Sequence, residues 1–190
     1  SGEYSGWDDV RLGTVRAMAR RGIQPEAIRN YWIDVGMKEV DIEFSWDNLY
    51  SFNKQIVDRT ASRYFFVWDP KIVDIVGVDR IEAHCPIHPD HKDLGCRDHT
   101  LTPPLSVHMT AEDLEGFKRR GTVRLKDLCN LRWEDGKAVY AGDDIGVLKE
   151  GWKIAHWAPP SAVPAEVYLP DGTVRKGVAE PLPEKEEGKV

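Results

Sequence analysis

The chain has 190 residues, 41% of them hydrophobic, and a formal net charge of −6 at pH 7. These values are typical of a globular protein with one or two cores, and they argue against extensive disorder. No run of about 18 apolar residues is present that could span a bilayer, and the first residues lack the pattern of a secretion signal. We therefore expect a cytoplasmic protein whose three cysteines stay reduced.

Helical spacing of apolar residues extends over roughly the first 62 residues. The segment "RLGTVRAMARRG" (11–22) ends in two arginines and a glycine, which is typical of a helix C-terminus. The segment "PEAIRNYWIDVG" (25–36) begins with proline, which suits a first helical turn, and closes on glycine. A third helix is predicted over "SWDNLYSFNKQIVDRTASR" (45–63), where Ser45 can cap the free amides.

After Arg63 the hydrophobic period changes to two, in short segments separated by turn residues. Asp-Gly pairs at 135–136 and 171–172 predict tight hairpin turns. One helix is predicted there, "TAEDLEGFKRR" (110–120), which Thr110 can cap.

The predicted fold class is therefore α+β by segments. A helical connector domain occupies residues 1–62, and an all-β region occupies residues 63–190. The number of short strands favours two small β-barrels in the second region, and the sequence does not locate the boundary between them.

Positive charge is concentrated in two segments although the mean charge is negative. Five arginines and one acid lie between Arg11 and Arg29, and "FKRRGTVRLK" (117–126) holds five basic residues and no acid. Phosphate binding depends on where the cations lie rather than on net charge. The pattern suits an RNA-binding protein, and ordinary solvated faces produce it equally well.

The stretch "HCPIHPDHKDLGCRDH" (84–99) contains two of the three cysteines and four of the six histidines. Its Cys-x2-His spacings could present two cysteines and two histidines to a tetrahedral zinc ion: Cys85, His88, Cys96 and His99. Prolines at 86 and 89 restrict the turn that a zinc knuckle needs, which favours a histidine-rich surface loop. Read alone, the stretch leaves open a zinc-containing nucleic-acid-binding adaptor.

Seven ordered stretches carry a family resemblance. "GWDDVRLGTVRAMARRGIQPEAIRNY" (6–31) and "SWDNLYSFNKQIVDRTASRYFFVWDP" (45–70) are the longest, and "HPDHKDLGCR", "VRLKDLCNL", "AHWAP", "PAEVYLPDG" and "GVAEP" follow them. In this order they resemble the C-terminal, tRNA-binding half of archaeal-type glutamyl-tRNA synthetases. These are class I enzymes of the glutamyl/glutaminyl subfamily. The resemblance covers essentially the whole chain.

The resemblance implies a part of a monomeric enzyme that ligates glutamate to tRNA(Glu), with tRNA(Gln) open as a second acceptor. The family's HIGH and KMSKS motifs are absent from the 190 residues. We therefore predict no catalytic residue and no cofactor here, with ATP and magnesium used by the full-length enzyme and an N-terminal catalytic domain as partner. A glutaminyl enzyme stays open, because that domain holds the amino-acid pocket. The family continues past the acidic tail, so the last barrel strand is expected to be missing.

The resemblance also implies roles for individual cations. Anticodon contacts are expected from five residues: Arg63, Arg124, Lys118, Arg119 and Lys176. Contacts with the tRNA backbone are expected from four more: Arg11, Arg20, Arg21 and Arg97. Arginine suits base reading because its planar fork can bond two acceptors on a base edge. In the family, the loop that corresponds to the cysteine–histidine stretch is built without a metal, so we expect none here.

Overall fold

The computed structural model describes residues 3–36 and 43–182. They fall into two compact units. The helical unit contains the described residues up to Ala61 together with the hairpin tip Tyr168–Val174, and the β unit contains Ser62–Val167 and residues 175–182. Within the described ranges, no helix combines the length and the apolar character that a membrane crossing requires.

The helical unit is built from three short helices, α1 (Val15–Arg20), α2 (Pro25–Val35) and α3 (Trp46–Val57). Thr14 caps α1 by accepting a hydrogen bond from the amide of Ala17 at 3.1 Å. Ser45 caps α3 in the same way, from the amide of Asn48 at 3.3 Å. The three predicted helices are thus confirmed, although α3 ends before the predicted position 63.

A small aromatic core holds these helices together around Tyr31, which is 3% exposed. The Tyr31 ring meets Phe44 and Phe52 edge-on, at centroid distances of 5.2 and 6.4 Å. Its hydroxyl accepts a hydrogen bond from the amide of Ser45 at 3.0 Å. Because that amide is at the N-cap of α3, one buried tyrosine on α2 both packs against α3 and fixes its start.

Eleven strands and a fourth helix follow within the described residues. They are β1 (Phe66–Trp68), β2 (Pro70–Val76), β3 (Ile81–Pro86), β4 (Cys96–Leu101), β5 (Ser106–Thr110), α4 (Ala111–Arg120), β6 (Thr122–Leu125), β7 (Asn130–Glu134), β8 (Lys137–Tyr140), β9 (Ile154–Ala155), β10 (Val163–Tyr168) and β11 (Val174–Ala179). The α+β arrangement by segments, with helices first and strands after, is therefore confirmed.

Six of the strands form one sheet in the order β5-β2-β8-β7-β6-β9. Strand β2 pairs antiparallel with β5 along its first part and parallel with β8 at its end. Ala158, shortly after β9, exchanges two backbone hydrogen bonds with His108 in β5, at 2.9 and 3.0 Å. This contact joins the two ends of the sheet, which is therefore nearly closed into a barrel.

The remaining strands form a three-stranded sheet, β1-β11-β10, and a two-stranded ribbon, β3-β4. Of the two predicted barrels, the described residues thus contain one nearly closed barrel. The Asp135-Gly136 turn joins β7 to β8 with positive φ at both residues, 49° and 78°, as a two-residue turn requires. The amide of Leu169 donates to the carbonyl of Thr173 at 2.8 Å and closes the second predicted hairpin.

The surface loop expected over residues 84–99 is limited to residues 87–95, because both ends of the stretch are strands. Residues 81–86 and 96–101 pair as the antiparallel strands β3 and β4. A short 3-10 turn, Lys92–Leu94, lies between them. In β3 the buried residues Ile81, Ala83 and Cys85 alternate with exposed ones. This period of two is the ordinary signal of a half-buried strand.

The core of the β unit lies inside the barrel and includes the fully buried side chains of Phe117 and Trp157. Phe117 enters it from α4, which Thr110 caps by accepting a hydrogen bond from the amide of Asp113 at 3.0 Å. The Trp157 indole donates to the carbonyl of Lys126 at 2.8 Å. The buried polar end of this tryptophan is thus paired, as a stable core requires.

We predict that Gly177→Ala destabilises the three-stranded sheet. Gly177 pairs with Trp68 across β1 and β11, and an added Cβ would overlap the Val67 carbonyl and lie 2.8 Å from the Trp68 Cα. Backbone atoms cannot move away as a side chain can, so we expect a loss of about 1 to 3 kcal/mol. Thermal and urea unfolding would measure it.

Gly116→Ala is the matched control. Gly116 lies in α4, where the three atoms nearest to an added Cβ all belong to the flexible end of the Arg120 side chain. Alanine is favoured over glycine inside a helix by up to about 1 kcal/mol, so this change should be neutral or stabilising. Equal effects of the two substitutions would contradict the steric explanation.

Candidate nucleic-acid interface

Arg63 lies just before β1, and its side chain is exposed. Its backbone amide donates to the carbonyl of Ile87 at 2.9 Å. Two residues further on, the amide of Phe65 donates to the carboxylate of Glu180. The exposed Arg63 side chain therefore extends from a main chain that hydrogen bonds hold at Arg63 and at Phe65. This is the geometry that a base-reading side chain needs.

The last turn of α4 carries three consecutive cations, Lys118, Arg119 and Arg120. Positive charge is favoured there by the helix dipole, so the cations also serve the helix itself. Lys118 Nζ lies 2.8 Å from a Glu115 carboxylate oxygen and 5.7 Å from the centre of the Trp133 ring. Arg119 is exposed and forms no ion pair with any described residue. The C-terminal end of α4 is thus a positive surface beside a half-buried tryptophan.

Lys176, on β11, is exposed, and its Nζ lies 3.1 Å from a carboxylate oxygen of Glu166 on β10. The Lys176 side chain is 79% exposed and the Glu166 side chain 45%. Ion pairs this exposed contribute little to stability, so exchanging the carboxylate for a phosphate would cost little.

Arg124 is expected to contact an anticodon base, but the structure buries it, and only 8% of the residue is exposed. Its Nη1 donates to Asn130 Oδ1 at 2.8 Å and to the carbonyl of Asp143 at 3.0 Å. Asn130 itself is fully buried. A base contact through this nitrogen would cost one buried and one half-buried hydrogen bond. The structure therefore assigns Arg124 first to the interior of the barrel.

Arg97 is likewise placed differently from the expected phosphate contact. Its side chain is 11% exposed, and its Nη1 forms an ion pair with Glu180, whose side chain is 2% exposed. His99 Nε2 lies 3.1 Å from the other Glu180 oxygen. Burial lowers the pKa of Arg97 and of His99. With its charge balanced by a buried carboxylate, the Arg97 guanidinium is not offered to phosphate.

The three cations expected at the tRNA backbone from the helical unit have protein partners too. Arg11 Nη2 lies 2.7 Å from the Asp9 carboxylate, and Arg20 Nη1 lies 3.3 Å from that of Asp8. Arg21 donates to the carbonyls of Val10 and Leu12 and to the hydroxyl of Tyr50, the latter at 3.1 Å. Arg21 is therefore structural, whereas Arg20 keeps an exposed side chain.

The four residues of the hypothetical zinc site are not arranged around one point. Cys85 is fully buried in β3, whereas Cys96, opposite Pro86 in β4, points to the exposed face. Successive strand residues face opposite sides, so the two thiols lie on different faces of the ribbon. His88 uses its Nδ1 to accept a hydrogen bond from the amide of Asp90 at 3.1 Å. Among the described residues no group of three ligand-type side chains could hold a metal ion.

Comparison with known proteins agrees with this geometry. Residues 61–146 match the family described as tRNA synthetases class I (E and Q), anti-codon binding domain. This range includes strands β1 to β8, helix α4, and the cations at 63, 118, 119 and 124. Residues 61–146 therefore carry the anticodon-binding domain of class I tRNA synthetases (E and Q).

Curated relatives match the helical and β units together. A glutamate–tRNA ligase of Methanoculleus marisnigri is 45% identical over 188 residues, which are 96% of this chain and 32% of that protein. Those of Pyrococcus abyssi and Pyrococcus furiosus are 42% and 41% identical, over 94% and 100% of this chain and 33% and 34% of their own lengths. The chain thus spans about a third of the curated relatives it matches.

Sequence reasoning missed two residues that organise the interface, Asn130 and Glu180. Glu180 stands next to the acidic tail, where acidic side chains are ordinarily exposed, yet it is 1% exposed. Asn130 follows "VRLKDLC", where no pattern distinguishes it from a turn residue. A buried partner for an arginine is recognisable only when distant segments are brought together, and Glu180 is 83 residues from Arg97.

Removing the buried charge of Glu180 should be costly. In Glu180→Gln the Arg97 guanidinium is left without its counter-charge in a buried position, for which we expect a loss of about 3 to 5 kcal/mol in the free energy of unfolding. Glu166→Gln, which removes the exposed partner of Lys176, should cost less than about 1 kcal/mol. Urea unfolding of both variants tests this; similar losses would show that Arg97 is compensated by other groups.

The imidazole of His84 should titrate above its ordinary pKa of 6.5. His84 Nδ1 lies 2.6 Å from the Asp98 carboxylate across β3 and β4, and this hydrogen bond raises the pKa of His84. The pair therefore stabilises the fold fully below pH 6.5, and the gain is lost as the pH rises through the folded pKa. NMR titration of Asp98→Asn should return the value toward 6.5, whereas Glu82→Gln, which removes a weaker influence, should move it less.

Proposed function

We propose that this chain is the anticodon-reading part of a glutamate–tRNA ligase that charges tRNA(Glu). The observation that carries the proposal is the match of residues 61–146 to the anticodon-binding family. The relatives named glutamate–tRNA ligase, which align with nearly the whole chain, support the choice of amino acid.

The positions of the exposed cations support RNA binding by the β unit. Arg63 extends from a fixed main chain, and Lys118 and Arg119 form the positive end of α4. Lys176 adds an exposed charge on β11. We infer that these four residues contact the anticodon loop, with Arg63 as the principal base reader because its fork can bond two acceptors. Arg20 and Arg11 are the proposed backbone contacts in the helical unit.

The catalytic step belongs to the larger enzyme in this proposal. Neither the HIGH nor the KMSKS motif occurs in the 190 residues, so we assign the binding of ATP and magnesium to an N-terminal catalytic domain. We infer a monomeric, cytoplasmic enzyme that can also charge tRNA(Gln). Aminoacylation of both tRNAs by the full-length enzyme would test the second acceptor.

Anticodon reading can be tested by filter binding at low salt with transcripts of tRNA(Glu). The chain should bind the transcript with the correct anticodon more tightly than one with an altered anticodon. We expect Arg63→Ala to weaken binding to the correct anticodon by about 1 to 3 kcal/mol, the usual value of a bidentate base contact, and to affect the altered one less. Equal affinity of the unmodified chain for both transcripts would contradict the proposed function.

Arg59→Ala is the matched control for Arg63→Ala. Arg59 is also exposed and lies four positions before Arg63 in the sequence. Its removal takes away the same charge, so any loss should be equal for both transcripts and should decrease as salt is raised. An equal loss from Arg63→Ala as well would reassign that residue to the phosphate backbone.

A further inference from the structure

The segment Ala141–Asp144 follows β8 outside any strand, yet it is held by a buried polar hub. The amide of Asn130 donates to the carbonyl of Gly142 at 2.8 Å, and its side-chain Nδ2 donates to that of Asp144 at 2.8 Å. Arg124 Nη1 donates to the carbonyl between them, that of Asp143, at 3.0 Å. Three consecutive carbonyls are thus fixed by two buried side chains and one amide.

This hub does more than a simple connection requires. The turn between β7 and β8 is made by Asp135-Gly136 alone, whereas this segment uses a guanidinium that is 8% exposed and an amide side chain that is fully buried. Burying a charged guanidinium is expensive unless its acceptors are well placed. The hub therefore holds the main chain of Asp143 by hydrogen bonds at its own carbonyl and at those of both neighbours.

Asp143 lines a groove at this end of the barrel. The groove has a volume of about 420 Å³ and is lined by Arg80, Ile81, Glu82, Leu128, Tyr140 and Asp143. Arg80 is already bonded to Glu82, at 2.8 and 2.5 Å. The exposed Asp143 carboxylate, in contrast, forms no hydrogen bond or ion pair with the described residues. Burial, and then the charge of Asp143, raise the pKa of the half-buried Tyr140.

The chemistry of the groove suits a base rather than a phosphate. A carboxylate repels phosphate but accepts hydrogen bonds from the exocyclic amino group of cytosine, adenine or guanine. Uracil has no such group. The half-buried Tyr140 ring and Leu128 supply an apolar wall, which unpaired bases use in protein complexes. Arg80 supplies a positive charge that keeps the groove from being uniformly negative.

We propose that Asp143 is a specificity-determining residue that accepts a hydrogen bond from the amino group of one unpaired anticodon-loop base, and that Arg124 and Asn130 are its positioning residues. This inference rests on the proposed anticodon-reading function. It also gives Arg124 a role in recognition that is compatible with its burial, because the arginine acts through the main chain of Asp143.

The test measures binding of the chain to the unmodified tRNA(Glu) transcript and to transcripts in which each amino-bearing anticodon-loop base is changed to uracil, one at a time. Asp143→Asn should weaken binding to the unmodified transcript by about 5- to 150-fold. For one uracil transcript the same substitution should cause no further loss, because the contact is already absent. Arg124→Lys should give the same selective loss, with unfolding curves recorded for each variant.

Glu134→Gln is the matched control, since Glu134 is another exposed acid of the β unit, at the end of β7. It should leave the relative affinities for the transcripts unchanged. If Asp143→Asn leaves the binding of every transcript unchanged, or tightens it equally for all, the carboxylate only repels the RNA backbone and the inference is overturned. In that case, discrimination by the unmodified chain would still support anticodon reading. If the unmodified chain discriminates among no transcripts, both the function and this inference fail.

Discussion

A buried guanidinium must have acceptors around it, and the β unit depends on how this requirement is met at Arg97. The only full counter-charge that contacts Arg97 among the described residues is Glu180. Glu180 also accepts from the amide of Phe65 and lies 3.1 Å from His99 Nε2. One carboxylate therefore connects the start of the β unit, the β3-β4 ribbon and the end of β11. The strand pairings alone would leave the β3-β4 ribbon in a separate sheet from β1 and β11.

The same requirement is met differently at Arg124. Here the acceptors are neutral, the side-chain oxygen of Asn130 and the carbonyl of Asp143. Neutral acceptors leave the positive charge in place, which suits a domain that binds a polyanion. The hydrogen bond to the Asp143 carbonyl also attaches a segment outside the strands, Ala141–Asp144, to the barrel. The two buried arginines thus have different structural roles: Arg97 joins distant elements, and Arg124 holds a loop.

The cations differ in how many hydrogen bonds and ion pairs they form within the protein. Lys118 and Lys176 have exposed carboxylate partners, which solvent screens strongly. Arg21, by contrast, donates to two carbonyls and a tyrosine hydroxyl within the helical unit. Residue type does not distinguish a structural arginine from a binding one. The number of acceptors around it does, and acceptors come mostly from other parts of the chain.

The sequence by itself determined the helices and turns of this protein, because their signals depend on residues close together in the chain. Thr14, Ser45 and Thr110 cap their helices, and Asp135-Gly136 adopts the positive φ values that only certain residues accept cheaply. The ordered family resemblance likewise indicates the anticodon-binding domain from the sequence alone. Capping residues, turn residues and family motifs all lie in short stretches of sequence, so they can be recognised without the tertiary structure.

Tertiary structure alone decided which side chains face solvent and which face each other. The alternation of β3 places Cys85 in the core and the pairing of β4 places Cys96 outside, which separates the thiols of the hypothetical zinc site. Arg97 and Arg124 became interior residues because Glu180 and Asn130 meet them there. Burial and pairing are properties of segments far apart in sequence. Composition and spacing therefore identified the cations, but only the tertiary structure showed which of them are buried against partners.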